Sequence, residues 1–143
     1  MNDTSGVEYA RRMDEWLKES EAHKTVEMEL YRLKRYNTPS TIALCEIPDA
    51  RYETHLRRRL RQTDHIIPLG QNHCFVIFSN TDLSGAEKAM RKIVAEYNDA
   101  TIEQSYRIAM KELKKEEDAQ EALRRLLVLF VLNPTAKMVM ESA

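Results

Sequence analysis

The chain reads as an α+β sandwich in which helices cover a mixed antiparallel sheet. Three observations predict it. Apolar, β-branched runs of strand length alternate with stretches of helical spacing. Two of the strand-like runs, His65 to Leu69 and Cys74 to Phe78, are separated only by a short turn around Gly70, which marks a hairpin. At 143 residues the chain is long enough for one domain with a proper core and too short for two comfortable ones. The order helix, strand, helix, hairpin, helix, strand, helix then gives a ferredoxin-like arrangement.

From Val7 to Tyr36 there is neither Gly nor Pro. Ala10, Met13, Trp16 and Leu17, then Val26, Leu30 and Leu33, keep helical spacing, while Lys18 to Thr25 is polar nearly all round. This is one long helix with a solvated middle, or two helices meeting near Ser20 to His23. Asn37-Thr38-Pro39 ends it, because proline disfavours helical geometry in the residue before it. Thr41 to Ile47 is β-branched at its start and apolar through its middle, as a strand buried on both faces would be. Pro48 starts a helix with Tyr52, Leu56 and Leu60 on one face.

After the hairpin, Ser84-Gly85-Ala86-Glu87 reads as the capping box of a helix. Its core face carries Ala86, Ala89 or Met90, Ile93, Val94 and Tyr97. Ser105 to Met110 alternates like an edge strand, and Lys114 to Glu117 is a charged loop. Asp118 with Glu121 caps a last helix that runs to Leu132 and stops at Asn133-Pro134. The expected division is a helical segment over 1–36, an α/β domain over 37–134 and a loose tail over 135–143.

A net charge of −1 gives no whole-protein attraction to nucleic acid or membrane, so any electrostatic function is local. The run Arg57-Arg58-Arg59-Leu60-Arg61 is too short and too poor in aromatics for a nucleic-acid surface. The N-terminus is charged, unlike a secretory signal. The longest apolar run, Leu126 to Leu132, falls far short of the roughly 20 residues that span a bilayer. A cytoplasmic protein with no membrane insertion is expected. Cys45 and Cys74 lack Cys-x-x-Cys or zinc spacing and are expected to be reduced core thiols. His65, His73, Cys74, Cys45 and Glu46 show no metal-ligand spacing either, so neither a metal nor a cofactor is expected. With three glycines in the chain, phosphate-cradling loops are nearly excluded.

Several segments taken together resemble the diguanylate cyclase (GGDEF) family. Glu29 to Ser40 looks like its helix ending in an Arg-Tyr-x-x-Pro turn, here Arg35-Tyr36-Asn37-Thr38-Pro39. Phe75 to Ala86 is similar to its strand, Asn-Thr-Asp-Leu turn and helix start, and Ala119 to Leu132 to its closing helix. The signature Gly-Gly-Asp/Glu-Glu-Phe turn is replaced by Gly70-Gln71-Asn72-His73-Cys74. The resemblance implies a nucleotide-cyclase-like sandwich with an extended N-terminal helix. The family's magnesium-binding Asp and the Asp two residues on read Glu46 and Pro48 here, and the usual partner carboxylate in the turn is the neutral Asn72. The span from Glu46 to Gly70 is shortened by about one helix, the piece that reads guanine in active members. These departures imply a domain without cyclase activity.

Arg61-x-x-Asp64 stands in the register of the family's product-inhibition motif. The resemblance therefore implies a candidate cyclic di-GMP site at Arg61 and Asp64, with Arg57 and Arg58 assisting. A guanidinium suits this by donating bidentately to phosphate or guanine. The bland alternative is that Arg61 and Asp64 pair locally. The closing helix is apolar all round from Leu126 to Leu132, so it needs a second covering surface from the N-terminal helix or from another chain. Trp16, Leu17, Leu126, Leu129 and Phe130 are the candidate interface. The expected function is a catalytically inactive regulatory module in bacterial signalling that binds a protein partner or forms a homodimer. A cyclic di-GMP receptor is the alternative.

Overall fold

The computed structural model describes residues 2–48, 51–70, 72–96 and 106–141. Helices α1 (Asn2–Glu19) and α2 (Ala22–Tyr36) lead into β1 (Ser40–Glu46), α3 (Tyr52–Arg59), the hairpin β2 (His65–Gly70) and β3 (His73–Ser79), α4 (Leu83–Glu96), β4 (Arg107–Glu112), α5 (Ala119–Leu132) and β5 (Met138–Met140). The strands form one mixed sheet in the order β2-β3-β1-β4-β5. Its pairs are antiparallel except the parallel β4 and β5. Gln71, Tyr97 and Ser105, assigned above to a turn, a core face and a strand start, lie outside the described residues, as does the junction between Pro48 and α3.

Alternation along the strands builds two cores, one on each face of the sheet. Ile42, Leu44, Phe75, Ile77 and Ala109 meet α1, α2 and α5 on one face. Ala43, Cys45, Cys74, Val76, Phe78, Ile108 and Met110 meet α3 and α4 on the other. The N-terminal segment is two helices. Ser20 separates them, its hydroxyl donating to the Leu17 carbonyl and accepting from the Ala22 N–H. Asn37 ends α2 in the left-handed region, where asparagine is tolerated.

The expected strands and helices form, but three details differ. Helix α4 is capped by Asp82, whose carboxylate accepts from the Gly85 N–H at 2.8 Å, and not by Ser84. Strand β4 is not an edge; it lies between β1 and β5. Its polar alternate residues suggested a solvated face, yet Arg107 and Lys111 turn toward α5 and are spent in ion pairs with Glu46 and Glu117. The segment expected as a loose tail supplies the edge strand β5. There the Ile108 N–H donates to the Lys137 carbonyl and the Glu141 N–H to that of Met110. The box of Asp118 and Glu121 forms with both of its hydrogen bonds, as read from the sequence.

Two buried polar links hold the α1/α2/α5 layer to the sheet. Glu29 of α2 accepts from the hydroxyls of Ser40 and Ser79, at the start of β1 and the end of β3. Lys111 of β4 is fully buried against Glu117, with Glu141 at 3.6 Å.

Candidate functional site

Strand register sets three polar residues side by side. Glu46 at the end of β1 faces His73 of β3 on one side and Arg107 of β4 on the other. All three lie on the face covered by α1 and α5. The Arg107 guanidinium donates to Glu46 Oε1 at 3.1 Å and to the Phe130 carbonyl at 2.6 Å. It also sits 4.1 Å above the centre of the Phe130 ring, a cation–π contact. His73 is buried, with Nδ1 3.2 Å from the Gly70 carbonyl and Nε2 2.7 Å from the Tyr9 hydroxyl. A carbonyl only accepts, so Nδ1 carries a proton there. The second oxygen of Glu46 lies 3.7 Å from Nε2.

Helix α1 roofs this row. Tyr9 stacks on Phe130 with ring centres 6.5 Å apart, and Trp16 tilts over His73 at 5.5 Å. Gly70, in a positive-φ turn conformation, has Trp16 ring atoms 3.5 Å from where a Cβ would stand, so the indole packs on the turn itself. Burial and then the Glu46 carboxylate push the Tyr9 hydroxyl above its ordinary pKa. The row is thus a partly exposed carboxylate paired with a guanidinium, next to a buried histidine under an aromatic lid. Among the described residues, no three His, Cys, Asp or Glu side chains gather so as to hold a metal ion.

Sequence reasoning missed Arg107 and Tyr9. Arg107 was hidden because only register reveals that it faces Glu46; Tyr9 because it reaches His73 across 64 positions. Cys45 and Cys74 are buried free thiols opposite one another in register. Cys45 hydrogen-bonding and burial raise the Cys74 thiol pKa.

Arg61 and Asp64 come together at the other end of the hairpin. The Arg61 guanidinium donates to Asp64 (3.1 and 3.3 Å), to the Ser79 carbonyl (2.7 Å) and to the Thr81 hydroxyl (2.5 Å). Asp64, almost wholly buried, also accepts from the Arg61 and Ser79 N–H groups. The pair is a clamp joining the entry of β2 to the exit of β3. Arg57 is bridged to Glu53 on its own helix, and Arg58 is exposed. A hollow of about 380 Å³ opens beside the clamp, lined by Arg57, Arg61 and Asp64 among others.

Leu17, Leu126 and Phe130 are buried inside the chain, and Trp16 and Leu129 pack half-buried against the same cluster. The cover expected for the closing helix is therefore α1 and α2 of the same chain. The exposed large apolar side chains on the two N-terminal helices and α5 are instead Val7, Met28, Tyr31, Tyr36, Val128 and Leu132. No described helix is long and apolar enough to cross a membrane.

No protein-family model and no curated protein sequence matches this chain. Solved structures do match it. One is the GGDEF domain of DgcB from Caulobacter crescentus in complex with c-di-GMP, at 12% identity and a TM-score of 0.64, covering 81% of this chain and 85% of that one. The FimX GGDEF domain from Pseudomonas aeruginosa matches at 9% identity and 0.64, covering 82% and 90%. Diguanylate cyclase SiaD from Pseudomonas aeruginosa, in complex with its activator SiaC, matches at 10% and 0.67, covering 83% of this chain and 56% of that one. At these identities the likeness is one of fold: the chain has the α+β, nucleotide-cyclase-like fold of GGDEF domains.

Proposed function

We propose that this chain is a GGDEF-like domain without cyclase activity, used as a regulatory protein-interaction module. The observation that carries the reading is the state of Glu46. It is the carboxylate at the position where the family resemblance expects a magnesium ligand, and it is already engaged by Arg107 and flanked by His73, which Tyr9 and Trp16 cover. Magnesium needs several hard oxygen ligands, and phosphoryl transfer needs the metal to bridge the phosphates. The turn beside Glu46 offers the neutral Asn72 and the inward-facing His73 in place of carboxylates.

The surface for a partner is the outer face of α2. Met28, Tyr31 and Tyr36 are each more than half exposed there, forming a shallow apolar surface with Lys24, Glu27 and Arg32. The fold neighbour SiaD is itself found with a protein activator. Tyr31→Asp is expected to abolish self-association or partner capture, read by sedimentation and pull-down. Because Tyr31 is exposed, folding stability should stay within about 0.5 kcal/mol of the parent. Unchanged association in this variant would remove α2 as the working surface.

A second reading, a cyclic di-GMP receptor acting through Arg61, Asp64, Arg57 and Arg58, is favoured by the hollow beside the Arg61 clamp and by the ligand in the DgcB neighbour. Calorimetry against cyclic di-GMP decides it. Saturable binding lost in Arg58→Ala and Arg61→Ala would establish the receptor. As a clamp alone, Arg61→Ala lowers stability by about 1–2 kcal/mol in urea unfolding, with no ligand dependence.

A further inference from the structure

A cleft of about 480 Å³ lies apart from the Glu46 row and the Arg61 clamp, where the C-terminal half of α1 meets the first turns of α5. Its size falls within the range of about 300–1,000 Å³ common for small-ligand sites. The floor is Leu17 of α1 with Leu123 and Leu127 of α5. The rim is biased toward positive charge. Lys18 and Arg124 are the cations that line it; Lys18 is held by Asp14 at 3.0 Å, and the His23 ring lies 3.7 Å from Glu27, so the unmatched charge at the cleft is that of Arg124. Neighbouring Arg125 leans toward Glu117 and Glu121, whereas no ion pair forms at Arg124 among the described residues.

We propose that this cleft binds a small amphipathic anion, an acyl chain of moderate length ending in one carboxylate. The chain lies on the leucine floor, where it leaves water as any apolar surface does. The carboxylate meets Arg124, whose planar fork suits two oxygens. A neutral ligand of the same length leaves that excess positive charge unmatched, and a cationic one is repelled. The bound anion bridges α1 to α5 and so adds to the contacts that keep Tyr9 and Trp16 over the Glu46 row. The site is independent of whether the α2 surface holds a partner.

The test is calorimetry of the full chain with decanoate below its micellar concentration, with decanol and decyltrimethylammonium as comparison ligands. Decanoate should bind saturably at one site. Decanol, and decanoate with Arg124→Glu, should bind at least about tenfold more weakly, a loss of about 1.4 kcal/mol. Arg124 is exposed, so its replacement leaves the fold intact. Gln120→Phe, placed on the cleft wall, should block decanoate while Arg125→Glu, outside the cleft, should not. Absence of saturable heat, equal binding of decanol, or full binding by Arg124→Glu or Gln120→Phe would each overturn the proposal.

Discussion

Phe130→Ala should cost about 3–5 kcal/mol of folding stability, the usual loss for a buried phenylalanine. It should also free α1 ahead of global unfolding. Phe130 is 1% exposed and is the centre of the packing around the Glu46 row. Its ring stacks on Tyr9, meets the edge of His73 at 6.3 Å and lies under the Arg107 guanidinium. Removing it opens a cavity on three elements together and leaves the guanidinium without its aromatic face. Hydrogen exchange should therefore show α1 amides losing protection while those of β1 and β3 retain theirs. A loss under about 1 kcal/mol, or α1 protection equal to that of the parent, would mean that the aromatic lid does not hold α1 down.

The second large effect lies at Lys111. Lys111→Met should destabilise by about 3–5 kcal/mol, because it strands the buried Glu117 carboxylate. The groups left near Glu117 compensate poorly: the Lys114 N–H at 3.0 Å and a half-exposed Arg125 at 3.8 Å. Lys111→Met with Glu117→Gln should recover much of the loss, since the amide oxygen can still accept from Lys114 and no unpaired charge remains. Urea denaturation of the three proteins checks this. If the double variant is no more stable than the single one, the cost comes from packing around the lysine stem and not from a stranded charge. Lys111 also lies 3.6 Å from Glu141, just after β5, so the single variant should leave that end of the strand tied through Lys114 alone.

The fold was legible because local signals agreed with one another. The turn around Gly70, the continuous apolar run of β1 and the box at Asp118 each specify their element without help from distant residues. What the sequence concealed depends on register and on buried charge. Tyr106 to Lys111 alternates apolar and polar, which normally means one wet face, yet Arg107 and Lys111 are sheltered by partners on β1 and in the loop before α5. Glu29 shows the same effect. It sits on the inner face of α2 beside Val26, Leu30 and Leu33, a position explained by its two serine donors and by Arg32 at 3.5 Å. The all-apolar closing helix correctly signalled a second cover. Whether that cover came from the same chain was beyond any periodicity, and the docking of α1 and α2 onto α5 supplies it. Arg61 and Asp64 pair with each other, as the bland reading of their spacing had it, whereas the lid over His73 beside Glu46 needed the tertiary structure.

Incubating the purified chain with GTP and magnesium, and measuring cyclic dinucleotide and pyrophosphate, tests whether this GGDEF-like fold is without cyclase activity. No product is expected from the parent protein, none from Glu46→Gln, and none after Tyr9→Phe loosens the lid. Product from the parent that disappears in Glu46→Gln would contradict it, showing that the carboxylate leaves Arg107 to bind metal and that the Glu46 row is an active site.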